Sequence, residues 1–528
     1  MRTELLSERS SFESHWRDLS DFVLPRRSRF FVSDTNKGDA RNQKIIDSTA
    51  TFASKTLRSG MMSGITSPAR PWFKLSTTSA GEDEDPSVVG WLDTVTKEMS
   101  SVFLKSNLYN VLPILYGDLG TFSTSAMLVE EDMESVVRFS PFPIGSYAIA
   151  NDYKLKVNTF YREFRMTVRQ VVDKFAKKDD GKTIDWSIVS VSVKNMYDEK
   201  QYEAWINITH IIEPNEEWDV NKLESKYKRF TSVYYESGSG PRGSYQIDSV
   251  DKDKFLRDAG YDFFPVLAPR WEITGEDVYG TSCPAMDALG DIKQLQVGEK
   301  RSAQAIEKQV NPSMVAPSNM KNQKASILPG DITYTDERDG QKGFRPSHTV
   351  NLDVSQLEQK QEQVRQRVRR AFYEDLFLML AQTDRRQITA REIDERHEEK
   401  LLALGPVLEQ LNQDLLDPLI DITFDLMVKQ GKMPPAPEKL AGKDLKVEYV
   451  SIMAQAQKLS GVASIERFAG FVGQTAQIDP SVLDKVDVDQ MVDVYGQTVS
   501  VPNGIVRTDE DVAAMRAQRA QAQQAQVQ

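Results

Sequence analysis

Ala176-Lys-Lys-Asp-Asp-Gly181-Lys182-Thr183 fits a relaxed phosphate-loop pattern, in which backbone amides and a lysine would cradle a nucleotide's phosphates. That chemistry needs a strand before the loop and a helix after it, so that the N–H groups converge on the anion. Here a helical stretch, 167–177, precedes the motif, and two aspartates would face phosphate. The segment reads as a helix end with a turn. Gly238-Ser-Gly240-Pro-Arg-Gly243 has dinucleotide-binding spacing, but strand residues flank it and no helix follows, so a hairpin loop fits better. His15, His210, His348 and His397 are scattered, and His397-Glu-Glu-Lys-Leu lacks the second histidine of a zinc-binding His-Glu-x-x-His helix. Glu130-Glu131-Asp132 and Asp179-Asp180 could hold a nuclease metal only with a supporting strand-and-lysine pattern, which is missing. One cysteine, Cys283, allows no intrachain disulfide and no multi-thiolate site. No catalytic constellation, metal set or cofactor site emerges, and the chain is expected not to be an enzyme.

The arginines carry a different chemistry. Arg365, Arg367, Arg369 and Arg370 lie on one helical segment, where about 100° per residue spreads them around the axis. That segment, 353–381, holds five acidic and five basic residues. Such balance suits ion pairs between neighbouring identical helices in a ring better than a DNA-gripping face. Arg385 and Arg386 differ, because they occupy the polar break Gln382-Thr-Asp-Arg-Arg-Gln, from which a guanidinium could meet phosphate without reading bases.

With 528 residues the chain exceeds one compact core, and two or more regions are expected. A net charge of −12 argues against a tight nucleic-acid binder but not against a surface past which DNA slides. The first residues lack a signal peptide's apolar core, and the aliphatic run 376–381 is far short of the ~20 residues that span a bilayer. An intracellularly assembled protein without a membrane anchor is expected.

All seven tryptophans fall in the first 271 residues, separating a mixed α/β front from a mostly helical back. Phe12, Trp16, Leu19 and Val23 make a helical stripe that stops at Leu24-Pro25. Further helices are expected through 46–64, 88–106 and 108–117. From about Val136 the period shortens. A hairpin is expected around Asn151-Asp152, with strands at 188–193, 204–212, 230–235 and 245–250. Pro284 suits the first position of a helix running to Val310. A Pro/Gly-rich excursion follows, with short strands at 313–316 and 331–335, and helix resumes over 353–381. Two long helices flanking such an excursion make an antiparallel stalk with a small module at its tip. Another helix, 389–429, should kink at Gly405-Pro406 and Asp417-Pro418. The Ala/Gln-rich residues 516–528 are low-complexity tail.

Together these residues resemble the portal, or head-to-tail connecting, proteins of short-tailed bacteriophages. The resemblance runs from about Arg9 to Val506. It is carried by Trp16-Arg-Asp-Leu-Ser-Asp-Phe-Val-Leu-Pro, Asp47-Ser-Thr-Ala and Gly60-Met-Met-Ser-Gly-Ile-Thr-Ser-Pro-Ala-Arg-Pro-Trp-Phe. Further along come Tyr279-Gly-Thr-Ser-Cys-Pro-Ala-Met-Asp-Ala-Leu-Gly-Asp-Ile-Lys, Thr389-Ala-Arg-Glu-Ile and Leu404-Gly-Pro-Val-Leu.

The resemblance implies an α+β, mainly helical portal fold assembled as a twelvefold ring at one capsid vertex of the virion, put together in the host cytoplasm. It implies a wing over 1–283, stem helices at 284–310 and 353–381, and a clip at 311–352. A tunnel loop at 382–388, carrying Arg385 and Arg386, a wing/tunnel helix at 389–436 and a crown at 437–515 complete it. Double-stranded DNA would pass through the channel during packaging and ejection. The implied partners are the large terminase, a tail adaptor, and the capsid and scaffolding proteins. A tail adaptor that never encircles DNA, or a motor or nuclease subunit resting on Lys182-Thr183, are the alternatives.

Overall fold

The computed structural model describes residues 2–32, 38, 40–77, 86–178, 181–222, 224–237, 255–315, 321, 345–346, 354–383, 404–440, 445–450 and 468–475, with isolated positions 486–487, 490–491, 495, 512 and 515–516 beyond. The fold is α+β and mainly helical. No helix among the described residues is long and apolar enough to cross a membrane.

The central core is built by four helices: α1 (Arg2–Phe22), α2 (Thr49–Gly64), α3 (Pro86–Lys105) and α4 (Leu108–Phe122). The α1 stripe buries Trp16, Leu19 and the following Val23, and Trp16 meets Tyr279 edge-on at 5.1 Å. Small residues let α2 lie close to its neighbours. A Cβ on Gly60 would collide with the Phe377 ring, and one on Gly120 of α4 with Leu57. α4 continues past Gly117 to Phe122, longer than its sequence signal, because it is wrapped by core on all sides. Its end is set by Ser123, at φ 60°, whose N–H returns to Leu119 O.

β1 (Phe73–Thr77) pairs with a far later strand at Leu445–Tyr449, and β2 (Ala126–Asp132) with β3 (Val136–Phe142). A five-stranded antiparallel sheet runs in simple sequence order: β4 (Tyr147–Asn151), β5 (Val157–Thr167), β6 (Trp205–Pro214), β7 (Phe230–Glu236) and β8 (Phe255–Tyr261). β9 (Val266–Leu267) completes the β2–β3 sheet. The β4–β5 hairpin is the expected one. Its left-handed residue is Leu155 (φ 61°), and Asp152 Oδ1 accepts the N–H groups of Lys154 and Lys156. α5 (Val168–Val171) starts on a Thr167/Gln170 capping box and passes into a π-helical turn, Val172–Ala176.

One expected strand is a correction. Residues 188–193 do not pair; Ser190 caps α6 (Val191–Asp198), its hydroxyl accepting the Val193 N–H at 3.3 Å. Val189, Val191 and Val193 alternate like a strand, but Ser190 also donates to Glu236, and the cap prevails over the alternation. The expected strand at 245–250 lies outside the described residues, whereas β8 carries no clear alternation in the sequence.

The back half begins with α7 (Pro284–Val310), with proline in its first turn. β10 (Met314–Val315) pairs with β11 (Arg345–Pro346), and 331–335 lies outside the described residues. The single helix expected over 353–381 is corrected to two, α8 (Val354–Ala371) and α9 (Glu374–Thr383). Tyr373 sits between them at φ 54°, a left-handed conformation that breaks the ladder. Next come α10 (404–411), a π-helical turn Asn412–Leu416 and α11 (Asp417–Lys429). The expected distortion at Asp417-Pro418 falls one turn earlier. Pro418 has no N–H for the carbonyl four residues back, and the Asp417 N–H instead reaches Asn412 O. β12 (Leu445–Tyr449) is the partner of β1.

Arg270 joins these parts. It is 1% exposed, yet its guanidinium donates to both Asp414 oxygens (3.1 and 3.2 Å), Leu155 O (2.9 Å), Asn151 Oδ1 (3.4 Å) and Val278 O (3.5 Å). The β4–β5 turn, the approach to α7 and the π-turn before α11 all close on one side chain. Removing one partner of a buried pair costs about 3–5 kcal/mol. Arg270→Ala should therefore lower the denaturation free energy by about that much, and Arg270→Lys should recover little, because a lysine cannot span the carboxylate and three other acceptors. A denaturant midpoint unchanged in Arg270→Ala would contradict this role.

Across the five-stranded sheet, Tyr147, Arg162, His210, Tyr234 and Arg257 stand in one paired row. His210 is fully buried, stacks on Tyr234 at 3.8 Å and meets Ser232 Oγ at 3.1 Å. Burial first, then the charges of Arg162, Lys174 and Arg257, hold the imidazole well below its ordinary value. Glu130 is the carboxylate whose charge reaches Arg162 and Lys174 on this side. A histidine kept neutral in the fold but free to protonate when unfolded, near pH 6.5, removes stability as pH falls below that value. The slope from His210 should approach about 1.4 kcal/mol per pH unit. His210→Gln should flatten the loss of thermal stability between about pH 6.5 and 5, and an identical acid slope in that variant would count against it.

Candidate functional site

α7 and α8 run antiparallel, and the contacts between them are polar. Arg367 forms a bidentate pair with Asp291 (2.7 and 3.0 Å), and Gln361 Nε2 donates to Ser302 Oγ at 3.2 Å. Val364 and Val368 of α8, with Phe372 beyond it, are buried toward the core, as the sequence stripe indicates. The burial is one-sided along the axis. α7 buries Pro284, Ala285, Ala288, Ile292, Leu295 and Gln296, all in its first half. Beyond Gln296 no α7 residue is buried, nor is any described side chain of α8 before Val364. Val297, Ile306 and Val310 are exposed. A helix pair about 40 Å long on the α7 side is thus anchored at its root and bare over its outer half.

The root is a polar lock. Gln296, 4% exposed, accepts the N–H groups of Ile46 (2.6 Å) and Asp47 (2.8 Å) on its amide oxygen and donates to Asp47 O at 2.8 Å. Asp47 accepts the Thr49 N–H at the start of α2 and the Arg365 Nε–H at 2.9 Å. Burial would raise the Asp47 carboxyl, but hydrogen bonds from Thr49 and the Arg365 guanidinium bring it below the usual carboxylate value. Arg365 also reaches Glu299 of α7 at 2.5 Å and Glu362 at 3.5 Å. Arg369 links Glu362 (3.2 Å) to Glu374 of α9 (3.7 Å), spanning the break at Tyr373. The α1–α2 connection, both arm helices and α9 meet here.

Three of the four arginines singled out in the sequence are therefore paired within their own chain. Their acidic partners are Asp47, Glu362 of α8 itself, Asp291 and Glu299 of α7, and Glu374 of α9. Arg370 is exposed on α8. Arg385 and Arg386 lie outside the described residues, as do His348, His397 and Asp179-Asp180. Sequence reasoning missed Gln296, whose only signal is polarity inside the otherwise apolar face of α7, and Asp47, which lies in the turn before α2.

The residues tested for chemistry fall elsewhere. Lys177 bridges to Ile184 and Lys178 N–H donates to Thr183 O, so Gly181 (φ 65°) turns a tight loop after the π-turn, and no helix opens behind it. β7 and β8 pair antiparallel on either side of the glycine-rich segment, whose own residues lie outside the described set. Glu131, at the end of β2, faces Gln430 and Lys429 of α11's end. Cys283 is buried and its thiol is pushed up to about 12, chiefly by burial, which leaves no thiolate for nucleophilic work. Among the described residues no group of His, Cys, Asp and Glu is arranged to hold a metal.

Comparison with known proteins follows the same whole-chain pattern. Residues 1–506 match the family model described as bacteriophage head to tail connecting protein. The portal protein of Salmonella phage epsilon15 is 48% identical over 522 residues, covering 99% of this chain and 90% of that protein. The probable portal protein of Bordetella phage BPP-1 is 43% identical over the same length, with the same coverage.

Gln296→Ala would leave two backbone N–H groups without acceptors beside a charged carboxylate. Each such group costs about 1–3 kcal/mol, so a drop in unfolding free energy of at least that size is expected, with the α1–α2 connection exchanging amide hydrogens faster. Unaltered exchange at Ile46 and Asp47 in that variant would rule out the lock.

Proposed function

The chain belongs to the bacteriophage head to tail connecting protein family, and we propose from that premise that copies of it form a twelvefold ring at one capsid vertex. Double-stranded DNA enters through the ring during packaging and leaves through it at ejection. The observation that carries this reading is the bare outer half of the α7–α8 arm. A single copy gives those turns no core, and identical arms side by side around an axis would cover one another.

In this reading α7 and α8 are the stem, the segment between them is the clip, and the helices and sheets before residue 284 are the wing. Residues 382–388, which begin within the last turn of α9, form the tunnel loop, with Arg385 and Arg386 presented to passing phosphates. Residues 389–436 return to the wing and 437–515 form the crown. The clip meets the packaging ATPase, the large terminase, and later the tail adaptor, while the wing meets capsid and scaffolding proteins. The work is structural: force comes from ATP hydrolysis on another chain.

Imaging purified protein down the ring axis tests the architecture, with a twelvefold ring and a lumen wide enough for a duplex as the expected result. A solid disc or a monodisperse monomer at high concentration would refute it. Double substitution of Arg385 and Arg386 by alanine should leave rings intact while lowering packaged DNA length or retention. Normal packaging and retention in the double variant would take both residues off the DNA path.

A further inference from the structure

Three cations gather on one face of the five-stranded sheet. Arg162 of β5 and Arg257 of β8 flank His210 and Tyr234 in the paired row. Lys174, from the π-helical turn, lies over the Tyr234 ring at 5.3 Å. Three strand spacings separate β5 from β8, so this part of the row is roughly 14 Å long. Lys174 and Arg257 are exposed. Arg162 lies over the rings of Phe142 (4.5 Å) and Phe164 (4.1 Å), and its Nε has no acceptor. Among the described residues none of the three forms an ion pair. The carboxylate whose charge reaches Arg162 and Lys174 is Glu130, which stands opposite Arg138 in the β2–β3 register and is shared with that fourth cation.

α11 presents the opposite charge. Asp417, Asp421 and Asp425 recur every four residues, which aligns them along one helix face over about 12 Å. Leu419, Ile422 and Leu426 are buried on the other face, and the helix packs on β3. Asp421, Asp425 and the neighbouring Val428 are exposed. Asp417 accepts a hydrogen bond from the Tyr449 hydroxyl and is reached by the charge of Lys156. Asp421 and Asp425 form neither a hydrogen bond nor an ion pair among the described residues. Partial burial first, then Asp417 and Asp425, hold the Asp421 carboxyl above its usual value, and partial burial with Asp262 does the same for Asp425. Like charges one turn apart destabilise a helix, so the stripe calls for cations that one copy does not supply.

The two surfaces face apart. Glu130 and Glu131 are consecutive on β2 and point to opposite faces of the β2–β3 ribbon. Glu130 is on the side of the three cations, whereas Glu131 meets Lys429 and Gln430 at the end of α11. Complementary patches on opposite sides of one chain suit a head-to-tail contact, because the same pair of patches then repeats around a closed ring.

We infer that the acidic face of α11 in one copy seats on the cation row of Arg162, Lys174 and Arg257 in the next copy. The inference rests on the ring reading and names the contact that closes it. The stripe of about 12 Å matches the row of roughly 14 Å, and three carboxylates meet three cations that lack partners at home.

Charge exchange in the full-length protein tests this, with mass photometry over a concentration series at about 0.15 M salt. Asp421→Lys with Asp425→Lys, and separately Lys174→Glu with Arg257→Glu, should each raise the half-assembly concentration about tenfold or more, since like charges then face each other. Mixing the two double variants, or combining all four substitutions in one chain, should restore rings, because the charges are then exchanged and not removed. Melting followed by circular dichroism checks the fold. For a reversed chain that melts below the parent, the neutral pairs Asp421→Asn with Asp425→Asn, or Lys174→Gln with Arg257→Gln, should move assembly in the same direction. Parent-like assembly in either folded double variant overturns the inference, as does failure of both the mixture and the fourfold variant to recover rings. A parent that itself forms no ring at any concentration refutes the ring reading and takes this contact with it, an outcome told apart because the unaltered chain stays monomeric.

Discussion

A guanidinium buried to 1% exposure is tolerable only if nearly every proton it carries finds an acceptor, and Arg270 meets that condition with groups from three separate stretches of chain. Two are backbone carbonyls, Leu155 O and Val278 O, that exist only when the β4–β5 turn and the approach to α7 are formed. Because an uncompensated buried charge is so costly, those stretches have to order together. Trp271, the next residue, lies against Tyr373 at a ring distance of 6.4 Å, and Tyr373 is where α8 ends and α9 begins. The break in the second arm helix is therefore seated on the same short segment that closes the sheet and the π-turn.

From that centre the structure divides by what kind of contact does the holding. Toward α1, α2 and α4 the packing is apolar and close, with Gly60 and Gly120 admitting Phe377 and Leu57 where any side chain would collide. Toward the arm it becomes polar: Arg367 with Asp291, then Gln296, Asp47 and Arg365, then Gln361 with Ser302, and beyond Gln296 no buried residue of α7. Exposed ion pairs of this kind contribute little each, about 0–1 kcal/mol. They fix the register of two helices without supplying a core for the outer arm.

Much of this was legible in the sequence where one physical rule governed a long stretch. The stripe through Trp16, the proline at 284, the length of α7 and the β4–β5 hairpin follow from periodicity and turn chemistry. The misreadings have local causes. At 188–193 alternating valines outvoted a serine that caps a helix, and at 353–381 nothing in Phe372-Tyr373 advertises a left-handed residue. β1 pairs with a strand some 370 residues later, and no local pattern encodes a partner at that distance. The site was legible only as a charge inventory. Five acids and five bases over one stretch predicted pairing, and within the chain Arg365, Arg367 and Arg369 find Glu362 of the same helix but also Asp47, α7 and α9, because three-dimensional proximity decides which carboxylate an arginine finds.

The distribution of charge follows from the same division. A ring through which DNA must move cannot hold it tightly at every point, since each phosphate neutralised adds to an affinity that motion has to overcome. An overall charge of −12 keeps most of the surface repulsive or neutral toward a duplex. In α8 Arg365, Arg367 and Arg369 are tied into intrachain pairs, which spends their charge inside the protein. Residues 25–58, with eight Lys or Arg against three Asp, carry a local excess of five positive charges, and within them Arg27 and Thr51 are tied to the core through Asp118 and Val23 O.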